Sequence, residues 1–263
     1  MNRTGLLTAL AIAAAVGLLF GFYPIFDLEL AGLSFDPSRD GFVQASVQPI
    51  GLWLRDLSRL IITMVAAPAF VALAIKLLRP RQPLIIPGRA VLFMIATLAL
   101  GPGIIANAVL KGYWGRPRPI DVTEFGGDQH FVPWWDPRGD CPGNCSFVAG
   151  EPSGAFWTIG PALLLPPAWR AGTVALALAF GAGVGGIRMY GGGHFFTDVV
   201  FAGVFMYLLA WLTHGLLYRW RATRVCDHTI EGAIERAVLP RHEALRRSIA
   251  RLRIAFIRPD KGS

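Results

Sequence analysis

Six stretches of the chain are apolar and separated by polar segments. A membrane-crossing helix needs about 20 largely apolar residues. Gly5–Phe26 meets that length behind Arg3, and it is read as a retained first helix rather than a cleaved leader because it is long and lacks a small-x-small site near its end. Leu57–Leu78 is the second predicted span and contains Pro68, which a helix inside a bundle tolerates. Ala90–Leu110 is the third, Pro152–Pro166 a short fourth, Ala171 to about Gly185 the fifth and Thr197–Tyr218 the sixth. Pro166, Pro167 and Arg170 make a tight turn between the fourth and fifth spans. Asp27–Asp56 is mixed, with a turn-rich loop at Asp36, Pro37, Ser38, Arg39 and Asp40. Lys111–Glu151, rich in Gly, Pro, Trp and charge, is too long for a mere connection and is expected to be functional. The pattern predicts an all-α, polytopic membrane protein: a six-helix membrane domain over 1–218 and a basic tail over 219–263.

Composition agrees with that pattern. Hydrophobic residues make up 54% of the chain and the mean hydropathy is +0.48, more apolar than an ordinary soluble domain. The net charge of +8 could suggest nucleic acid, but the arginines cluster at helix ends and in the tail, with no run of Arg and aromatics in a polar context. The positive-inside rule and anionic lipid headgroups account for the charge, and nucleic-acid binding is set aside. Six spans put both termini on one side, together with Arg3, the Arg79–Arg89 loop and Arg170. That side is expected to be cytoplasmic, in a plasma membrane. Lys111–Glu151 and Arg188–His194 then share the outer face. In the tail, Arg246, Arg247, Arg251 and Arg253 lie beside Leu245, Ile249, Leu252 and Ile254, a pattern of either a surface amphipathic helix or a solvated one. Cys141 and Cys145 in CPGNC are a poor metal site without further ligands. They could form a short-loop disulfide in an oxidising compartment or remain free thiols.

The chemistry-bearing residues fall on the outer face. In RMYGGGHFFTD, three glycines break helix geometry before His194, and Asp198 follows four residues later, on the same face if a helix restarts there. A carboxylate in that position holds an imidazole's tautomer and stabilises its protonated form. Arg188 adds a planar cation suited to phosphate oxygens. In KGYWGRPRP, Lys111 and Arg118 can converge on one anion, with Pro117 and Pro119 stiffening the arginine. Three cations around a histidine point to a phosphoryl group. Taken alone, Lys111 and Arg116 read as snorkelling or headgroup-contacting residues. No cofactor or metal site is expected.

Lys111-x6-Arg118-Pro119 followed by Arg188-x5-His194-x3-Asp198 resembles the type 2 phosphatidic acid phosphatase (PAP2) superfamily in spacing, order and position at helix ends. The family's blocks read K-x6-RP, PSGH and SR-x5-H-x3-D. The resemblance implies metal-free hydrolysis of a phosphate ester or anhydride. Lys111, Arg118 and Arg188 would bind phosphate, and His194 would form a phosphohistidine, oriented by Asp198. The middle block departs from the pattern. Pro152-Ser153-Gly154 is followed by Ala155, not His; the alternative register, anchored by Phe147 and Phe156, puts Ala149 at the family's serine, Gly150 at its phosphate-binding glycine and Glu151 at its general-acid histidine. Glu151 could donate a proton if an apolar surround raised its pKa, whereas nearby cations would lower it. His130 is a candidate stand-in. Ile187 replaces the usual serine.

These features suggest dephosphorylation of a lipid at the membrane surface, with Trp114, Trp134 and Trp135 at the interface. Lipid A, an isoprenyl pyrophosphate such as undecaprenyl pyrophosphate, and phosphatidylglycerophosphate are the candidate substrates. The GGHFFTD wording and the glutamate resemble the lipid A phosphatase side of the superfamily. A lipid phosphotransferase using the same intermediate, and a non-catalytic lipid-phosphate binder or transport factor, are the alternatives. The retained His194 and Asp198 argue against an inert binder.

Overall fold

The apolar runs fold as helices that pass back and forth between two ends of one bundle. The computed structural model describes residues 3–39, 41–43 and 48–257, excepting the side chains of residues 48, 245 and 250–257. Helix α1 (Arg3–Phe22) leads into the short α2 (Ile25–Gly32) and a two-stranded hairpin, β1 (Phe35–Asp36) and β2 (Gly41–Phe42). Helices α3 (Gln48–Leu78) and α4 (Gly88–Tyr113) follow. Next come α5 (Gly150–Trp157), α6 (Ile159–Leu164), α7 (Pro167–Tyr190), α8 (Phe196–Arg219) and the tail helix α9 (Asp227–Ile257).

Five of these helices, α1, α3, α4, α7 and α8, are long and apolar enough to cross a membrane. The fourth expected span is not one continuous helix. It is α5 and α6, of 8 and 6 residues, broken where the Thr158 hydroxyl donates to the Ala155 carbonyl at 2.6 Å and where Pro161 has no N–H to give. Pro152 through Gly160 are buried, so this segment meets protein on all sides and needs no lipid-matched length. The expected mixed segment Asp27–Asp56 also proves more helical than its sequence suggests. It contains most of α2 and the first turns of α3, so Arg55 and Asp56 lie on a helix. Asp40 lies outside the described residues.

Within α4, Ala99–Leu110 is wound as a π-helix around Pro102. A wide turn relieves the clash between a proline ring and the preceding carbonyl, and such turns often mark functional positions. Asn107 donates through Nδ2 to the Pro102 carbonyl at 2.6 Å, and Lys111 follows at the helix end. The core gathers around α8, where Phe201, Ala202 and Met206 pack with Phe147, Phe156 and Ile159. Outward apolar side chains such as Leu7, Leu18, Met64 and Leu176 are exposed, as hydrocarbon-facing positions should be.

The two ends of the bundle differ in kind. At one end, α1 hands over to α2, and Asp27 bonds to Thr197 at the start of α8; the Lys111–Glu151 segment folds there too. At the other end, α9 is tied to the α3–α4 connection. Asp227 accepts from the Arg89 backbone N–H at 2.8 Å and its guanidinium at 2.9 Å, Glu243 pairs with Arg81 at 3.0 Å, and Glu231 accepts from the Leu84 N–H at 3.2 Å. Of the expected apolar stripe on the tail, only Ile249 has a described side chain, and it is exposed.

Candidate active site

His194 sits at the floor of a cavity of about 370 Å³ at the first of these ends. Helix α7 stops at Tyr190, and Gly192 takes φ +64°, a left-handed turn that a side chain would resist. The Phe42 ring also packs where a Cβ on Gly192 would stand. The chain then enters α8 at Phe196. His194 therefore lies just ahead of the helix rather than on its face, and the residue is 2% exposed.

That placement changes how His194 meets Asp198. His194 Nδ1 and Asp198 Oδ2 are 3.8 Å apart, an ion-pair separation rather than a hydrogen bond. The Ser146 hydroxyl stands between them. It is 3.3 Å from His194 Nδ1 and donates to Asp198 Oδ2 at 2.5 Å. A hydroxyl whose proton is committed to the carboxylate accepts from Nδ1–H, and this tautomer leaves Nε2 with its lone pair free. Asp198 also accepts from the Phe195 N–H at 2.8 Å.

Arg116 completes the support. Taken alone it reads as a snorkelling or headgroup-contacting residue, but it is 0% exposed. Nη1 donates to Asp198 Oδ1 and to Thr197 Oγ1, Nη2 pairs with Asp27 Oδ2 at 2.8 Å, and Nε donates to the Val132 carbonyl at 3.1 Å. One guanidinium in a buried pocket satisfies two carboxylates because its fork presents donors in several directions. The signal missed in the sequence was Asp27, an acid just past the first apolar run with no evident local partner. Ser146, Thr197, Arg55 and Arg59 gave no motif-level signal.

Around His194 the cavity collects Lys111, Arg118, Arg188, Gly150 and Glu151, together with Arg55 and Arg59 from α3. Asp198 lies behind His194, not in the cavity wall. Lys111, at the end of α4, is 8% exposed, so it does not snorkel either. Among the described residues it has no hydrogen-bond acceptor. Arg118 anchors its Nε and Nη2 on the Asn144 carbonyl. Gly150 is held so close to Asn107 that a Cβ there would lie 2.5 Å from Oδ1 and 3.4 Å from Lys111 Cδ. Even alanine would collide with the Asn107 amide.

Glu151 is surrounded by guanidinium groups. Arg55 reaches both carboxylate oxygens, at 2.8 to 3.2 Å; Arg59 Nη2 is 2.8 Å from Oε1 and Arg188 Nε is 3.2 Å from Oε2. Burial pushes its pKa up, but the Arg55 hydrogen bonds, the charges of Arg188 and Arg55 and the Arg59 hydrogen bond outweigh burial and hold it below the usual carboxylate range. The apolar surround expected to raise it does not prevail in the free protein. His194, which lies between α7 and α8, is pushed down to about 4. Burial is the main cause, Asp198 opposes it, and Lys111 and Arg188 add to it. The imidazole is thus neutral at physiological pH, as a nucleophile must be.

The other expected residues lie apart. His130 is exposed and does not line the cavity. Cys141 and Cys145 are joined by a disulfide, with Cα atoms 5.7 Å apart. Trp114 and Trp134 stack on Phe147 and Phe201 in the core rather than facing outward, and Trp135 remains half exposed. Among the described residues, no three His, Cys, Asp or Glu side chains form a metal-binding group.

Comparison with known proteins places the chain in a family. The sequence profile described as the PAP2 superfamily matches residues 90–224. A lipid A 4'-phosphatase of Francisella tularensis subsp. novicida is 42% identical over 133 residues, 50% of this chain and 60% of that protein. Proteins of the same name from Rhizobium leguminosarum and Rhizobium etli are 40% and 37% identical, each over 40% of this chain, and over 46% and 41% of their own lengths. The matches thus span roughly half the length of these relatives. No solved structure matches the chain.

Proposed function

The chain belongs to the PAP2 superfamily, and from that premise we propose that it is a bacterial membrane lipid phosphatase acting on the phosphate of a lipid A-type molecule. The observation that carries this reading is a buried histidine at the floor of a cavity whose walls hold Lys111, Arg118 and Arg188. Lys111 and Arg188 have donors to spare for phosphate oxygens. The substrate class comes from the three relatives and ranks lipid A ahead of isoprenyl pyrophosphate and phosphatidylglycerophosphate.

In this mechanism the His194 Nε2 lone pair attacks phosphorus while the bond to the lipid oxygen breaks. The three cations offset charge on the phosphoryl oxygens. As the ring becomes cationic, its Nδ1–H is held by Ser146, and the positive charge faces Asp198. Water then attacks the phosphohistidine and the N–P bond breaks, releasing inorganic phosphate and the neutral ring, while the water's proton passes to the Glu151 carboxylate left by the first step. Glu151 is the proposed proton donor to the leaving oxygen. It can take up a proton only after bound anions draw the arginines from it. The cations are side chains, so activity is proposed to be independent of divalent metal.

The test is phosphate release by purified protein from a panel of lipid A, isoprenyl pyrophosphates and phosphorylated phospholipids, with and without a chelator. Release from lipid A above the others, unaffected by chelation, supports the reading. Release from none of them, or full and reversible loss in the chelator, contradicts it.

A further inference from the structure

Arg55 and Arg59 stand on one face of α3, four residues apart, and line the same cavity as Lys111. No phosphate-binding pattern in the sequence includes them. Among the described residues, their one acid in the cavity wall is Glu151. Arg55 alone reaches both oxygens of that carboxylate, so Arg59 and Arg188 are surplus to pairing it. Asp56 takes Arg59 Nη1 at 3.1 Å, but at the rim, with its side chain 73% exposed and water-screened. Among the described residues, five basic side chains therefore line the cavity against one carboxylate. A phosphomonoester dianion on Lys111, Arg118 and Arg188 leaves uncompensated positive charge on the α3 side. Crowding like charges in a partly enclosed space is unfavourable unless the ligand brings matching charge.

We propose that Arg55 and Arg59 form a second anion subsite, which binds another acidic group of the same substrate while Lys111, Arg118 and Arg188 hold the scissile phosphate. This rests on the phosphatase reading and narrows its substrate to a lipid with at least two acidic groups near one another. Glu151 is the resting counterion of both subsites. A substrate that fills both takes its three guanidiniums away and frees it to accept the proton it must deliver. A substrate with one anion leaves Glu151 clamped by Arg55 and Arg59.

The test is binding, so that it stands apart from whether any lipid is hydrolysed. Inorganic phosphate and tripolyphosphate are titrated calorimetrically into the full-length protein in detergent, and the ratio of their dissociation constants is read. Tripolyphosphate is expected to bind at least about tenfold more tightly than phosphate. In R55Q/R59Q that margin should collapse to within about twofold. E151Q removes the competing carboxylate and should widen the margin, a gain that misfolding cannot imitate. An unchanged margin in R55Q/R59Q, or an E151Q protein with a narrower margin, overturns the second subsite. Failure of every lipid in the release panel, with these binding results intact, would overturn the phosphatase reading instead.

Discussion

At the scale of single residues, the site depends on a histidine kept neutral and a glutamate kept ionised. With His194 at about 4 against an ordinary 6.5, the folded state favours the uncharged ring. The stability this contributes is fully present above 6.5 and is lost as pH falls through the folded value near 4. The ring's NMR signals should therefore titrate well below 6.5; a midpoint at or above 6.5 would show that burial does not control it. Ser146→Ala removes the hydroxyl between ring and carboxylate. It should lower turnover about tenfold to a hundredfold with KM little altered, and S146T should recover part of the loss. Glu151→Gln should slow alkyl phosphates more than nitrophenyl phosphate, because a good leaving group needs little protonation. Equal loss on both would remove the general-acid role. The paired spacing of His194 and Asp198 was legible in the sequence. The serine between them was not, because it comes from a loop distant along the chain and carries no periodic or motif signal.

At the scale of elements, α8 is held at its first turn by parts of the chain that are far apart in sequence. Arg116, after α4, bridges Asp27 on α2 and Asp198 on α8. Removing one member of such a buried set leaves uncompensated charge, which costs about 3–5 kcal/mol. Arg116→Met should thus lower the unfolding midpoint markedly as well as activity, while the exposed Arg138→Met should not. Equal, small effects from both would mean that Arg116 does not organise this end. The long apolar runs made five helices readable from pattern alone, since period and length dominate there. The α5–α6 pair was read as one span because hydropathy reports apolarity, not whether protein or lipid surrounds it. The first turns of α3 were missed for a related reason: Arg55, Asp56 and Arg59 look like loop residues until their partner Glu151 is known.

At the scale of the molecule, the cavity opens at one end of the bundle and α9 packs at the other. We propose that the cavity end faces outward from the plasma membrane and that both termini are cytoplasmic, as the arginine distribution implies. Cys226, free and exposed after α8, is a natural reporter. In intact cells an impermeant thiol reagent should label an introduced D128C and spare Cys226. Labelling of Cys226 with protection of D128C would invert the orientation.

The central claim is that His194 carries the phosphoryl group. The most direct measurement is to mix the protein with lipid A labelled in its phosphates, denature it in alkali during turnover, and map the label by peptide. The account predicts an alkali-stable, acid-labile phosphate on the peptide containing His194, absent from His194→Ala, which should also release no phosphate. Continued phosphate release by a well-folded His194→Ala protein, with no label on that peptide in the wild type, would contradict it.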